Sequence, residues 1–294
     1  MHEIKNIGVI MLVAMLAACT DTTPPASPPM AKSATLRVFV PRTAEQPETL
    51  MMAVFGAQYR SKTRDALVQL DNPYGEVKTR FLVEAIRHTT LPTGETVLLA
   101  RTRYADPAAV EHVGKTRWLG VYFLRKDKGK WSVIRRHDNL TLLDQDSLGT
   151  AAWINLGKGK QGIAVTATSR WDACADTAVT LFDLGDPLLS RLNEPIAIES
   201  NAAGEECNRF YEGSRWSAKG QWRMVPPKTL SPYDDLVMTF SGHMSTLRQD
   251  DQAGPRIKTN VDGSARYVYD AELKQYQLAE GKNPIPQVPE DDQG

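Results

Sequence analysis

The densest run of chemically active side chains lies between Lys115 and Arg136. There Lys115, Arg117, Arg125, Lys126, Lys128, Lys130, Arg135 and Arg136 stand against Asp127 alone, a local excess of +7. The whole chain of 294 residues has 35 basic and 35 acidic side chains and no formal net charge, so this cluster is a local feature. Trp118, Tyr122 and Trp131 are interleaved with it. Cations beside aromatic faces are the equipment for holding an anionic polymer or lipid headgroups through charge and stacking. The competing reading is a solvated edge hairpin whose lysines discourage strand pairing.

The remaining reactive residues point to no catalysis. His88, His112, His137 and His243 show no zinc-protease or zinc-finger spacing with one another or with a cysteine. No Gly-x-Ser-x-Gly elbow is present to anchor a serine triad. His137 and Asp138 are adjacent, so in a strand they point to opposite faces. Gly157-Lys158-Gly159-Lys160-Gln161-Gly162 invites a phosphate-cradle reading, but Ile163 and a strand follow where Ser or Thr and a helix are needed, and a hairpin turn is expected. Asp144-x-Asp146-x-x-Gly149 opens like a calcium loop, yet Leu148 and Asn155 occupy ligand positions, so a solvated turn is expected. Neither a metal nor a cofactor nor a catalytic residue is assigned.

The first residues carry a targeting pattern. Ile7 to Cys19 is an apolar run of 13 positions, well short of the ~20 needed to span a bilayer as a helix, and Lys5 precedes it. This is the order of a secretory signal. Leu16-Ala17-Ala18-Cys19 resembles the lipobox of bacterial lipoproteins. The resemblance implies that residues 1–18 are a signal peptide and that Cys19 becomes the lipidated first residue of the mature chain, with acyl chains such as palmitate. Two or three chains, at about 0.8 kcal/mol per buried methylene, give a durable anchor. Thr20 after the cysteine, rather than Asp, implies sorting to the outer membrane, and a periplasm-facing position is expected. With Cys19 lipidated, Cys174 and Cys207 remain as an even pair in an oxidising compartment, and a disulfide is expected. Closing that loop is worth on the order of 3 to 4 kcal/mol.

The elements that must position these groups are mostly strands. Residues 19–33 are the lipidated cysteine and a Pro-rich tether containing Pro24, Pro25, Pro28 and Pro29. A first strand is expected at Thr35 to Val40. Leu50, Val54, Leu67 and Leu70 then predict one or two helices between Pro47 and Leu70. Asp71-Asn72-Pro73-Tyr74-Gly75 makes a turn. Arg80 to His88 and Thr96 to Tyr104 form a hairpin about Leu91-Pro92-Thr93-Gly94. Trp118 to Leu124 and Trp131 to Arg136 form another about Lys126-Asp127-Lys128-Gly129. Further strands are expected at Ala151 to Leu156, Gly162 to Ser169, Ala178 to Asp183, Pro195 to Glu199, Gln221 to Val225, Leu236 to Phe240, Arg266 to Tyr269 and Gln275 to Leu278. Residues 285–294 read as an acidic disordered tail.

The fold class is therefore mainly β with a minor α+β component: antiparallel hairpins in a sandwich, barrel or propeller-like array after one or two N-terminal helices. Residues 34–284 form the β-rich domain, with room for a subdomain boundary near 140–150. Tyr122 and Trp131 share their spacing of nine with Tyr267 and Tyr276, which suggests a repeated β-unit. Asn155 to Val165 resembles an FG-GAP or integrin-type propeller repeat, but lysines stand in place of its acidic calcium loop, and calcium is not implied. Neutral global charge gives no reason to expect a nucleic-acid partner. Two functions follow as expectations: a non-catalytic lipoprotein that binds or scaffolds an envelope protein or anionic envelope polymer, or a periplasmic enzyme with an unrecognised site.

Overall fold

The computed structural model describes residues 45–74, 78–106, 116–144, 149–171, 174–202, 214–246 and 256–285. The signal peptide, Cys19, the tether, the strand expected at Thr35 to Val40, Lys115, His112 and Cys207 lie outside these residues. So do most of the Asp144–Gly149 turn and residues 286–294.

Alternation of apolar and polar residues with period two decides the architecture, because successive strand side chains point to opposite faces. The first part of the chain forms a helix α1 (Pro47–Phe55), a short 3-10 turn, and six strands: β1 (Tyr59–Arg60), β2 (Asp65–Asp71), β3 (Lys78–Thr90), β4 (Thr96–Tyr104), β5 (Arg117–Asp127) and β6 (Lys130–Asp144). Pro47 opens the helix at a position where its missing N–H costs nothing, and Glu48 lies in the first turn. The helical expectation for Pro47 to Leu70 is corrected beyond Gln58. Ala66, Val68 and Leu70 on β2 are buried at alternate positions, and that period overrides the helical spacing of the leucines.

The second part forms β7 (Thr150–Gly157), β8 (Lys160–Trp171), β9 (Cys174–Asp183), β10 (Ile196–Ala202), β11 (Arg215–Val225), β12 (Asp235–Thr246), β13 (Ile257–Asn260), β14 (Gly263–Asp270) and β15 (Gln275–Gly281). Every strand expected after Asp71 lies on one of these elements; β13 was not anticipated. Two antiparallel sheets result, β1 to β6 in sequence order and β7 to β15 in near-sequence order, joined by a single parallel bridge between Asp144 and Thr168. Neither closes into a barrel.

Three clusters of buried side chains hold the sheets. Leu50, Met51 and Phe55 of α1 pack with Val68, Phe81, Leu98 and Tyr122, so the first sheet folds around its helix. Val97, Leu99, Val121 and Phe123 on the opposite face meet Trp153, Ile163, Val165 and Phe182, which packs sheet on sheet. Leu156, Leu181, Leu236, Met238 and Tyr276 line the interior of the second sheet. Tyr122 and Trp131 pack in the first interior and Tyr267 and Tyr276 in the second, each pair across a hairpin. Ile285, the first residue of the expected tail, is 2% exposed and belongs to the second interior.

Each sheet curls until its outer strands approach, leaving a seam. In the second sheet the connection before β12 fills it. Tyr233 is buried there, and the Asp234 N–H donates to the Leu156 carbonyl at 2.6 Å. Gly157 is required at this contact, since a Cβ would collide with the Pro232 carbonyl. In the first sheet, β1 pairs only with Asp65 and Ala66, so the rest of the outer edge of β2 has no strand partner among the described residues.

Candidate functional site

The seam of the first sheet is built around an irregularity in β6. Leu119 of β5 pairs with Thr141 and Val121 with His137, so three residues, Asp138, Asn139 and Leu140, oppose Gly120 alone. A bulge of this kind re-aims side chains. Asn139 takes a left-handed backbone, φ 50°, which asparagine tolerates better than most residues. Gly120 makes room for the ring of Tyr122, because a Cβ there would lie 2.7 Å from the Tyr122 hydroxyl.

That hydroxyl donates to Asp138 Oδ1 at 2.8 Å, and Arg136 Nε donates to Asp138 Oδ2 at 2.6 Å. Burial, with the Asp138 carboxylate as a smaller contribution, pushes the Tyr122 phenol well above its ordinary range. Both oxygens of Asp138 are thus engaged. Across the seam, Asn72 Oδ1 accepts from the Tyr104 hydroxyl at 2.9 Å and from the Tyr74 N–H at 3.1 Å. Asn139 Nδ2 bridges to the Asp71 carbonyl at 3.4 Å, while Asn139 Oδ1 is buried with no partner among the described residues.

Between these edges lies a cleft of about 400 Å³ lined by Gln69, Leu70, Asp71, Asn72, Pro73, Lys78, Asp138 and Asn139. The volume is within the ordinary range for small-ligand sites. Tyr74, which follows the lining residue Pro73, is 50% exposed, with its ring tilted on Trp118 at 5.8 Å. Three carboxamides, two carboxylates and a lysine stand among the lining residues, an arrangement for holding a polar ligand. Among the described residues no three His, Cys, Asp or Glu side chains cluster to hold a metal ion.

The basic cluster anticipated from sequence is not gathered on one surface. Arg125 and Arg135 pair with Glu95 at 2.9 and 3.5 Å, Lys126 with Glu45 at 2.7 Å, and Arg136 with Asp138. Arg135 lies 3.5 Å over the Phe123 ring and donates to the Leu184 and Asp186 carbonyls, facing the second sheet. Its neighbour Arg136 lies over Phe55 and Tyr122 on the opposite face. The alternation of strand side chains divides the cluster. Trp131 packs against the first interior and is capped by the Lys126 ammonium at 5.3 Å. Arg117 stands at the head of β5. Lys128 and Lys130, about the turn at Lys128 and Gly129, have no ion pair among the described residues.

The other sequence candidates are structural. Lys158 and Gly159 form a hairpin turn, and Lys160 Nζ donates to Asp183 Oδ2 at 2.9 Å. His88 Nε2 meets the Glu45 carbonyl at 3.1 Å. His137 faces Phe123, opposite to Asp138, and burial lowers its pKa. Cys174, 2% exposed, heads β9. Sequence reasoning passed over the bulge, although a glycine inside strand-forming residues at Gly120 and an Asp-Asn pair inside β6 were its signals. Among the described residues no helix is long and apolar enough to cross a membrane. Compared with known protein families, curated proteins and solved structures, the chain has no match.

Proposed function

We propose that the protein is a lipid-anchored component of the bacterial envelope that binds another envelope component without catalysis at the cleft between β2 and β6. The observation that carries the binding role is the bulged wall of that cleft, where Asn139 keeps a left-handed backbone and a buried, unpartnered Oδ1. Strain and an unsatisfied polar atom at one place mark sites held for a ligand. The rival enzymatic reading has less support, since Asp138 has both oxygens engaged by Tyr122 and Arg136. An anionic polymer on the β5–β6 hairpin would depend mainly on Lys128 and Lys130.

The anchor is Cys19 of the lipobox, with outer-membrane sorting from Thr20 and a bridge between Cys174 and Cys207. Cys19→Ser should abolish palmitate labelling and leave the signal uncut; normal labelling would refute the anchor. For the binding role, a photo-crosslinking side chain placed at Gln69 in living cells should give discrete adducts, while one at exposed Gln221 of β11 should give none. Equal patterns from both positions would remove the cleft from consideration.

A further inference from the structure

We infer that the β2–β6 cleft takes a neutral, hydroxyl-rich ligand, a short saccharide segment. The inference rests on the proposal that this cleft is the binding site, and it adds the chemical class. The carboxamides of Gln69, Asn72 and Asn139 line the cleft; Asn72 Oδ1 is taken by Tyr104 and Tyr74, which leaves the Asn72 N–H donors and the exposed Gln69 amide for a ligand. A sugar hydroxyl is itself both donor and acceptor, so it satisfies such groups in pairs, whereas a sulfate or a phosphodiester accepts only. Asn139 Oδ1 has no partner among the described residues but is shielded in place, so a ligand hydroxyl reaches it only by turning the carboxamide toward the cleft.

Charge at the site favours neither sign. Asp138 is matched by Arg136, and Asp71 stands opposite Lys78 in the β2–β3 register. A cation or an anion entering the cleft would therefore gain little attraction. Next to the lining residue Pro73, Tyr74 is half-exposed with its ring tilted on Trp118 and its backbone N–H donating to Asn72 Oδ1. A flat aromatic face of this kind packs against the C–H face of a pyranose while its neighbours take the hydroxyls. Polar groups in the cleft and an aromatic surface at its edge together match a molecule with hydroxyls around a ring.

The test titrates the mature protein with two neutral trisaccharides, a β-linked N-acetylglucosamine trimer and maltotriose, followed by ligand-observed NMR. A polyphosphate and a neutral extended hexapeptide serve as competitors. Binding of at least one trisaccharide is expected, weakened about tenfold by Tyr74→Ala and retained by Tyr74→Phe. Asn139→Gly, which keeps the left-handed backbone and deletes the amide, should weaken it by a comparable factor. No binding of either trisaccharide, or binding indifferent to Tyr74 and Asn139, overturns the inference. Displacement by the peptide at equal concentration also overturns it, in favour of strand addition to the edge of β2 that no described strand pairs. The Gln69 crosslink separates the two failures: adducts without saccharide binding leave the cleft standing with another ligand class, and absence of both removes the site as well.

Discussion

At the seam of the second sheet, the Tyr233 hydroxyl donates to Asp183 Oδ2 at 2.7 Å, Lys160 donates to the same oxygen, and the Gly185 N–H donates to Oδ1 at 2.7 Å. At the seam of the first, Tyr122 and Arg136 take the two oxygens of Asp138. A tyrosine, a carboxylate and a cation recur at both, on unrelated connections. The surroundings differ. Asp183 is 3% exposed beneath the segment that carries Tyr233, whereas the Asp138 side chain is 26% exposed and lines a cleft. Where chain fills the seam, the polar cluster ties strands together; where no described residue does, similar chemistry forms the wall of a site.

The comparison breaks most easily at Asp183. Asp183→Ala leaves the Tyr233 hydroxyl buried and unpaired, at about 1–3 kcal/mol, and removes the pair with Lys160, whose side chain is 31% exposed, at about 1 kcal/mol more. Urea denaturation should show the loss as a lower midpoint at unchanged slope, with crosslinking from Gln69 unaffected in the folded fraction. A cost below about 1 kcal/mol, the ordinary range of an exposed pair, would mean that the second seam is not the structural one.

Asp138→Ala should cost less, about 1–3 kcal/mol for the Tyr122 hydroxyl left buried, because Asp138 and Arg136 retain access to water. Its larger consequence is on the cleft, where adducts from Gln69 should disappear. Preserved adducts would sever the link between the bulge and the site.

Alkaline pH probes both seams. Burial raises the phenols of Tyr122 and Tyr233, with the neighbouring carboxylates Asp138 and Asp183 adding to it. Above about pH 10 the unfolded chain releases tyrosine protons that the native state retains. Stability is therefore full below that pH and falls above it, by up to about 1.4 kcal/mol per pH unit for each such tyrosine. Tyr122→Phe and Tyr233→Phe should each flatten the decline, read from urea midpoints between pH 9 and about 11. An unchanged decline in the double variant would contradict the burial of both hydroxyls.

Most strands were legible in the sequence because their information is local. Thr96 to Tyr104 follows the Leu91-Pro92-Thr93-Gly94 turn, and Leu91 N and Gly94 N close that turn on the Glu95 and Leu91 carbonyls. The overextended helix at Leu67 and Leu70 shows the limit, since a short apolar run supports either period. The basic cluster was legible as composition but not as a surface. Arg135 and Arg136 are neighbours in sequence and face opposite cores, and the balancing Glu45 and Glu95 come from outside the cluster. The cleft was not legible at all: Asn139 meets Asp71 across 68 residues, and only the curl of the first sheet brings them together.

Asn139 gives the smallest effect and the sharpest distinction between the seams. A left-handed conformation costs most L-residues about 1–2 kcal/mol, and asparagine less. Asn139→Ala should therefore lower stability by about 1 kcal/mol, while Asn139→Gly should leave it within about 0.5 kcal/mol, since glycine has no Cβ to strain but loses more chain entropy on folding. The bridge to Asp71 at 3.4 Å is long for a hydrogen bond and adds little to either difference. A merely structural bulge would lose nothing but these fractions in the glycine variant. A binding bulge would keep its stability and lose its ligand, because the carboxamide that glycine removes carries the unpartnered Oδ1. Thermal denaturation beside cleft crosslinking in the same variant reads both quantities, and a variant that keeps both would assign Asn139 to the turn of the strand alone.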